Sequence, residues 1–286
     1  MPEGHTLHRL AGQIEATFGG RRVRTESPQG RFAASAALLD GSLLRGAEAA
    51  GKHLFLEFSR QRWVHIHLGL IGTLHLARGA APPPRGAVRL RLSTRAAYAD
   101  LRGPMVCALV TAGERDAVLT GLGPDPLRPD ADPERAWERI RRSRAPIAVL
   151  LMRQDVVAGV GNVYRAEVLF RHGVDPQRPG HDLDAGTWTS MWRDLVALMR
   201  EGVRTGRIDT VAPEHSPEAT GRPPRVDDHG GEVYVYRRAG LACLVCGTPV
   251  STQVVAGRNL FWCPGCQPRR PARQAAGPDG AVSADR

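Results

Sequence analysis

A side-chain primary amine occurs once in this 286-residue sequence, at Lys52; the other 38 of its 39 Lys and Arg residues are arginine. Chemistry that forms an imine therefore has two candidates, Lys52 and the chain's own N-terminus. The sequence opens Met1-Pro2-Glu3-Gly4-His5-Thr6. Initiator methionine is normally removed before a small residue such as proline, which would leave Pro2 with a free secondary amine. Such an amine has a lower pKa than a lysine side chain. It would lie at the positive end of a helix starting near Thr6, where the unprotonated, nucleophilic form is favoured. Glu3, one residue on, can act as general acid or base on the same substrate atoms. The plain alternative is that many chains begin Met-Pro-Glu and that Glu is common near a helix start.

Four of the five cysteines form two Cys-x2-Cys pairs, Cys243/Cys246 and Cys263/Cys266, separated by 16 residues. Four thiolates at this spacing suit one tetrahedral zinc with no open position, which makes the ion structural. Two disulfides in a secreted protein are the alternative, and the lack of a basic-then-apolar leader argues against it. A unit of about 35 residues buries too little core to fold alone, so the metal would supply much of its folding free energy. Cys107, in the apolar run Met105-Val106-Cys107-Ala108-Leu109, reads as a buried small hydrophobe.

Three further features bear on binding. Gly159-Val160-Gly161-Asn162 lies between helical segments; Asn162 is the expected N-cap of the second, whose free amides would favour an anion such as a phosphate. An ordinary capped helix connection reads equally well there. Arg258 is expected on a small-residue hairpin tip that can approach phosphate closely, unless it is one more solvated arginine. His65 and His67 alternate on one strand face, which fits packing or hydrogen bonding better than metal binding. The net charge of +10 points to a polyanionic partner, nucleic acid before membrane. No apolar run approaches the ~18 residues of a membrane span, so a cytoplasmic protein is expected.

The elements that must position these residues change texture along the chain. Leu7, Leu10, Ala11, Ile14 and Phe18 recur at helical spacing over 6–18, stopped by Gly19-Gly20. From about 22 to 110, short alternating strands separated by turns predict a β-sandwich or barrel. After Leu122-Gly123-Pro124-Asp125-Pro126 the pattern is helical. Asp132-Pro133 starts one helix, Ile147 to about Gln154 forms another, Val163 to His172 a third, and Thr187 begins a long one. Residues 206–231 read as a proline-rich connector. Thr252 to Val255 and Asn259 to Trp262 read as a hairpin. The expected fold class is multidomain α+β: a β-sandwich domain with a flanking helix (1–112), a helical domain with connector (113–231), a zinc hairpin (232–268) and a disordered tail (269–286).

These motifs together resemble the formamidopyrimidine-DNA glycosylase/endonuclease VIII family over residues 1 to about 268. The N-terminal Pro2-Glu3-Gly4, the lone lysine in Gly51-Lys52-His53-Leu54, the Gly-Val-Gly-Asn turn and the four-cysteine hairpin occur in the family's order. The Gly257-Arg258-Asn259-Leu260-Phe261-Trp262-Cys263 stretch is most similar to the actinobacterial endonuclease VIII branch. The resemblance implies an N-terminal β-sandwich, a helix-two-turn-helix domain and a zinc finger, with DNA in the basic cleft between lobes. It implies a bifunctional glycosylase and abasic-site lyase acting in base excision repair on oxidised pyrimidines. The damaged base would be flipped out, a Schiff base formed at Pro2, and both flanking phosphates lost by β- and δ-elimination. By the same resemblance Glu3 assists ring opening and proton transfer. Lys52, Asn162 and Arg258 contact phosphates, Leu70 is the wedge that fills the vacated space, and Arg102 faces the orphaned base. Damaged or abasic double-stranded DNA is the implied partner of a monomer associated with the bacterial nucleoid.

The chain departs from the family in places. A second glutamate found in some members is Thr6 here. His67-Leu68-Gly69 echoes the formamidopyrimidine branch while Pro2-Glu3-Gly4 echoes endonuclease VIII, and no phenylalanine follows Arg102. Oxidised purines remain the alternative substrate, and a non-catalytic zinc-containing DNA-binding protein the alternative class, against which intact Pro2, Glu3 and Lys52 argue.

Overall fold

The computed structural model describes residues 2–226 and 231–269; from residue 270 on, the expected tail lies outside them. The described chain begins with α1 (Gly4–Phe18). It continues through β1 (Arg21–Arg22), β2 (Arg24–Glu26), α2 (Ala33–Leu39), β3 (Leu43–Ala50), β4 (His53–Phe58), β5 (Arg62–His67), β6 (Thr73–Arg78), β7 (Val88–Ser93), β8 (Ala97–Arg102) and β9 (Val106–Val110). Then come α3 (Ala112–Thr120), α4 (Pro133–Ile140), α5 (Ile147–Leu150), α6 (Asn162–Arg171), α7 (Ala185–Thr205), α8 (Pro217–Thr220) and the hairpin β10 (Ser251–Val255) and β11 (Arg258–Trp262).

Strands β1 to β9 form two antiparallel sheets, β1-β3-β4-β5-β9 and β2-β7-β8-β6, and β10 pairs with β11 alone. Alternation decides their faces. Leu54, Leu56 and Phe58 of β4 and Val64 and Ile66 of β5 share a core with Leu90, Leu92, Ala99 and Leu101 of the second sheet. The helical stripe Leu7, Leu10, Ile14 and Phe18 of α1 closes the same core. A second core joins α4 to α7 with the zinc hairpin through residues such as Tyr164, Met191, Leu195, Leu260 and Phe261. Helix α1 contacts both β3 and α7, so it couples the two cores.

Several elements differ from the sequence reading for local reasons. Helix α1 starts at Gly4 because Glu3 is its extended N-cap. Helix α3 escaped notice because it buries no residue and shows no apolar face; Thr111 and Glu114 hold it with a capping box. Helix α2 is a short alanine-rich stretch inside a strand-rich region. Helix α5 ends at Leu150, and Gln154 instead turns its side chain to the glycine turn, donating to Val160 O and accepting from Gly159 N–H, both at 3.0 Å. The hairpin turn is Ala256-Gly257, both at positive φ, which puts Arg258 in the strand rather than the tip.

The connector, through Thr210, and the start of the zinc unit, through Tyr234 to Tyr236, are tied down by Glu167 of α6, which is fully buried. Its carboxylate accepts from Tyr234 N–H (2.7 Å), Val235 N–H (2.9 Å) and Tyr236 N–H (2.8 Å), and from the Thr210 hydroxyl. Among the described residues no helix is long and apolar enough to cross a membrane.

Candidate active site and metal centre

Glu3 is fully buried, yet its carboxylate is not buried against hydrocarbon. It accepts from the N–H groups of Gly161 (2.9 Å), Val163 (2.8 Å) and Tyr164 (3.4 Å) at the start of α6. A carboxylate on the positive end of a helix is the arrangement that the helix dipole and the unpaired first-turn amides favour. Gly4 N–H donates to Gly159 O at 2.8 Å, completing the dock between the N-terminus and the glycine turn. Pro2 is thus tethered through Glu3, half-buried beside this turn.

This corrects the expected role of Gly159-Val160-Gly161-Asn162. The N-cap of α6 is Gly161, not Asn162, and the first-turn amides serve Glu3 rather than standing free for an external phosphate. The glycines are there for close approach. A Cβ on Gly161 would lie 2.3 Å from the Glu3 carboxyl carbon, and one on Gly4 2.8 Å from Gly159 Cα. Gly161→Ala is therefore expected to cost about 1–3 kcal/mol of stability. By displacing Glu3 it should also lower the base-excision rate by about 10²-fold. Thermal melts and single-turnover excision by the purified variant would check both; a fully active, equally stable variant would contradict the dock.

Lys52 occupies the β3–β4 turn, where Gly51 has φ +58° and a Cβ would press on Ala158 at 3.1 Å. The turn is fixed by Asp125, a residue the sequence reading passed over. Its buried carboxylate accepts from Gly51 N–H (2.7 Å) and Leu127 N–H (2.9 Å) and lies 2.8 Å from His8 Nε2 of α1. Burial lowers the Lys52 pKa; the Glu3 carboxylate opposes that shift, and the cations Arg258 and Arg165 add to it. Glu3, Lys52, Arg165 and Arg258 therefore share one electrostatic neighbourhood.

Arg165 is the second residue missed. It is 1% exposed, and burial pushes its pKa down to about 10 against the pull of Glu3. Its guanidinium donates to Asn162 Oδ1 and to Asn259 O, the latter at 3.2 Å, while Asn162 Nδ2 donates to the same carbonyl at 2.9 Å. Asn162 and Arg165 thus lash the zinc hairpin to α6 and carry the exposed Arg258 toward Lys52. In a chain with 38 arginines, nothing in the sequence marks this one.

Leu70 and Ile71 stand out from the 68–72 turn at 57% and 83% exposure, and Met105 rises beside Gly69. Arg102, at the end of β8, donates to Asp100 Oδ2 at 2.8 Å. His65 stacks on Phe55 and lies 2.8 Å from His53 Nδ1, a third histidine that the strand pairing brings in; Gly69 N–H donates to His67 Nδ1. Burial and the neighbouring imidazoles push His53 down to about 3 and His65 to about 4. Cys107 is half-buried in β9, and burial pushes its thiol up to about 12, which suits an inert packing residue.

The sulfur atoms of Cys243, Cys246, Cys263 and Cys266 all lie within 4.8 Å of one another, the one such cluster among the described residues. Cys243 and Cys266 Sγ are 3.8 Å apart and Cys246 and Cys263 Sγ 3.4 Å, far beyond a ~2.0 Å disulfide bond. Four thiolates around a common centre fit one structural zinc and leave no open coordination position. Elemental analysis is expected to find about one zinc per chain. Chelation should release the hairpin, seen as new protease cleavage within 240–269; a hairpin that stays protected without metal would contradict this.

Comparison with known proteins agrees with this layout. Residues 1–106 match the formamidopyrimidine-DNA glycosylase N-terminal domain and residues 122–213 the formamidopyrimidine-DNA glycosylase H2TH domain. Residues 240–269 match the zinc finger found in FPG and IleRS. The chain is 52% identical over 271 residues to Endonuclease 8 1 of Mycobacterium tuberculosis, covering 93% of this chain and all of that protein. It is 34% identical over 240 residues to the formamidopyrimidine-DNA glycosylase of Geobacillus kaustophilus, covering 82% and 85%. The fold superposes on Lactococcus lactis Fpg, solved with abasic-site DNA, with a TM-score of 0.76 at 22% identity, covering 93% of this chain and all of that one. The chain belongs to the formamidopyrimidine-DNA glycosylase/endonuclease VIII family and is a DNA glycosylase and abasic-site lyase with a structural zinc.

Proposed function

We propose that this enzyme removes oxidised pyrimidines from double-stranded DNA with Pro2 as the nucleophile. The Pro2 nitrogen attacks C1′, and the N-glycosidic bond breaks with its electron pair leaving on the base. Glu3 takes the proton that the Pro2 nitrogen loses on attack and passes it to O4′ as the sugar ring opens, giving an iminium between Pro2 and C1′. The iminium acidifies the C2′ proton; its removal expels the 3′ phosphate, a second elimination expels the 5′ phosphate, and water hydrolyses the remaining iminium. The observation that supports this reading is the Glu3 dock, which fixes the residue next to Pro2 in the electrostatic neighbourhood of Lys52, Arg165 and Arg258.

The other roles follow position. Lys52 and Arg258 hold backbone phosphates around the flipped nucleotide and carry no sequence information, while Asn162 acts through the hairpin strand it holds to α6 rather than on a phosphate directly. Leu70, exposed on its turn, fills the gap in the stack. Arg102 faces the base left without a partner. One chain suffices for one lesion, on the bacterial nucleoid.

The pyrimidine preference is supported by Gly103-Pro104 after Arg102 where the purine-lesion branch has phenylalanine, and by the similarity to Endonuclease 8 1. Excision of thymine glycol and 5-hydroxyuracil is expected to exceed that of 8-oxoguanine opposite C by about tenfold or more. Single-turnover rates on the three duplexes decide it, and a preference for 8-oxoguanine would reverse the assignment.

A further inference from the structure

The face of β7 and β8 turned away from the sandwich core carries a buried ion network. Arg91 and Asp100 are cross-strand partners with side chains 4% and 2% exposed. Arg91 Nε donates to Asp100 Oδ1 at 2.6 Å and Nη2 to Oδ2 at 2.8 Å. Its remaining Nη1 donates to Pro82 O at 2.6 Å, so the proline-rich loop lies over the pair as a cover. The Asp100 carboxylate accepts a third bond, at Oδ2 from Arg102 Nη2 at 2.8 Å, and Arg102 Nε donates to Arg85 O of the same loop at 3.4 Å. Burial alone would raise the Asp100 pKa. The hydrogen bonds and charge of Arg91, then those of Arg102, outweigh it and hold the carboxyl below its ordinary range.

A buried ion pair is weak evidence for stability, because desolvation offsets most of the attraction. This one has a geometric consequence instead. Arg102 pairs with Thr73, the first residue of β6, and the next residue, Gly103, places its Cβ position 3.9 Å from Gly72 Cα and Ile71 O. The backbone of Arg102 and Gly103 therefore lies at the root of the turn that carries Leu70, and the guanidinium is tethered from that strand end to Asp100. Its Nη1 makes no hydrogen bond to a described residue, and the side chain is 34% exposed. A loose arginine beside DNA falls onto the nearest phosphate. One held in plane by a fixed carboxylate presents its remaining N–H groups in one direction, which is what reading a base edge requires.

We propose that Asp100, clamped by Arg91, is the positioning residue that aims Arg102 at the base opposite the lesion, and so sets the opposite-base preference of the enzyme. This rests on the reading of Arg102 given above.

The test uses the full chain on one abasic-site strand, paired in turn with A, C, G or T opposite the site, and left single-stranded. A single strand has no opposite base, so it reports general damage to the enzyme but not loss of aim. Asp100→Asn is expected to lower the duplex-to-single-strand ratio of cleavage rates by about tenfold. It should also narrow the spread across the four opposite bases while keeping most of the single-strand rate. Equal losses on both substrates, an unchanged spread, or a wild type with no spread would each overturn the proposal. Arg102→Ala separates the two layers. If it leaves the spread unchanged, the reading of Arg102 falls and this proposal with it; if it changes the spread and Asp100→Asn does not, only this proposal falls. Should Asp100→Asn fail to fold with Arg91 left buried, Arg91→Lys loosens the clamp while keeping the charge. It is expected to shift the same ratio by about threefold, and no shift would overturn the proposal.

Discussion

Glu3→Gln is expected to lower damaged-base excision by about 10²–10⁴-fold, the range that a positioned proton donor supplies. The amide keeps the size and most of the contacts of the carboxylate but cannot deliver the proton to O4′. Duplex affinity should change little, because the contacts that Glu3 makes are to backbone amides of α6 and the cations Lys52 and Arg258 are left in place. Stability should fall by about 1–2 kcal/mol, because a neutral amide loses the helix-dipole attraction and turns an N–H toward an N–H. Excision rate, duplex affinity and melting temperature, measured on one preparation, separate the two jobs of Glu3. Excision at the wild-type rate would remove Glu3 from the chemistry.

A variant that keeps one residue joined to the Pro2 nitrogen is expected to lose both excision and lyase activity by about 10³-fold or more, about 4 kcal/mol of transition-state free energy. An amide nitrogen has its lone pair in resonance and does not add to C1′. The competing amine makes the experiment informative. Lys52 sits in the same neighbourhood as Glu3, and its burial favours the neutral, nucleophilic form. If Lys52 were the nucleophile, blocking Pro2 would leave activity standing. The placement of Lys52 on a turn between strands, with Arg258 and Arg165 acting on it, suits a cation waiting for phosphate. The extended variant should still bind duplex DNA, and its rates on abasic and base-lesion substrates are the measurement.

The chemistry of this protein is legible in its sequence where it is local. The N-terminal hexapeptide, the lone lysine and the spacing of Cys243, Cys246, Cys263 and Cys266 each announce themselves within a few residues, because amine and thiolate chemistry depend on residue type. The residues that aim this chemistry are not legible. Asp125 joins Gly51 to His8 across separations of 74 and 117 residues, and Arg165 reaches Asn259 across 94. Acids and arginines at such distances look like any other charged residue until the fold pairs them. Asp100 and Arg91 hide for the same reason, since alternation along a strand predicts a solvated face and the Pro82 loop covers it. The glycine turn is the instructive middle case. Its sequence signals close approach, but the approaching group is Glu3, 158 residues earlier, rather than an external phosphate.

Catalysis through an iminium at the N-terminal proline would leave a reducible bond between Pro2 and the sugar. Reaction of the enzyme with abasic-site DNA in the presence of borohydride, followed by digestion and mapping of the cross-linked peptide, tests it directly. A stable adduct is expected on the peptide that begins at Pro2, with Lys52 unmodified. An adduct confined to Lys52, or none at all, would contradict it.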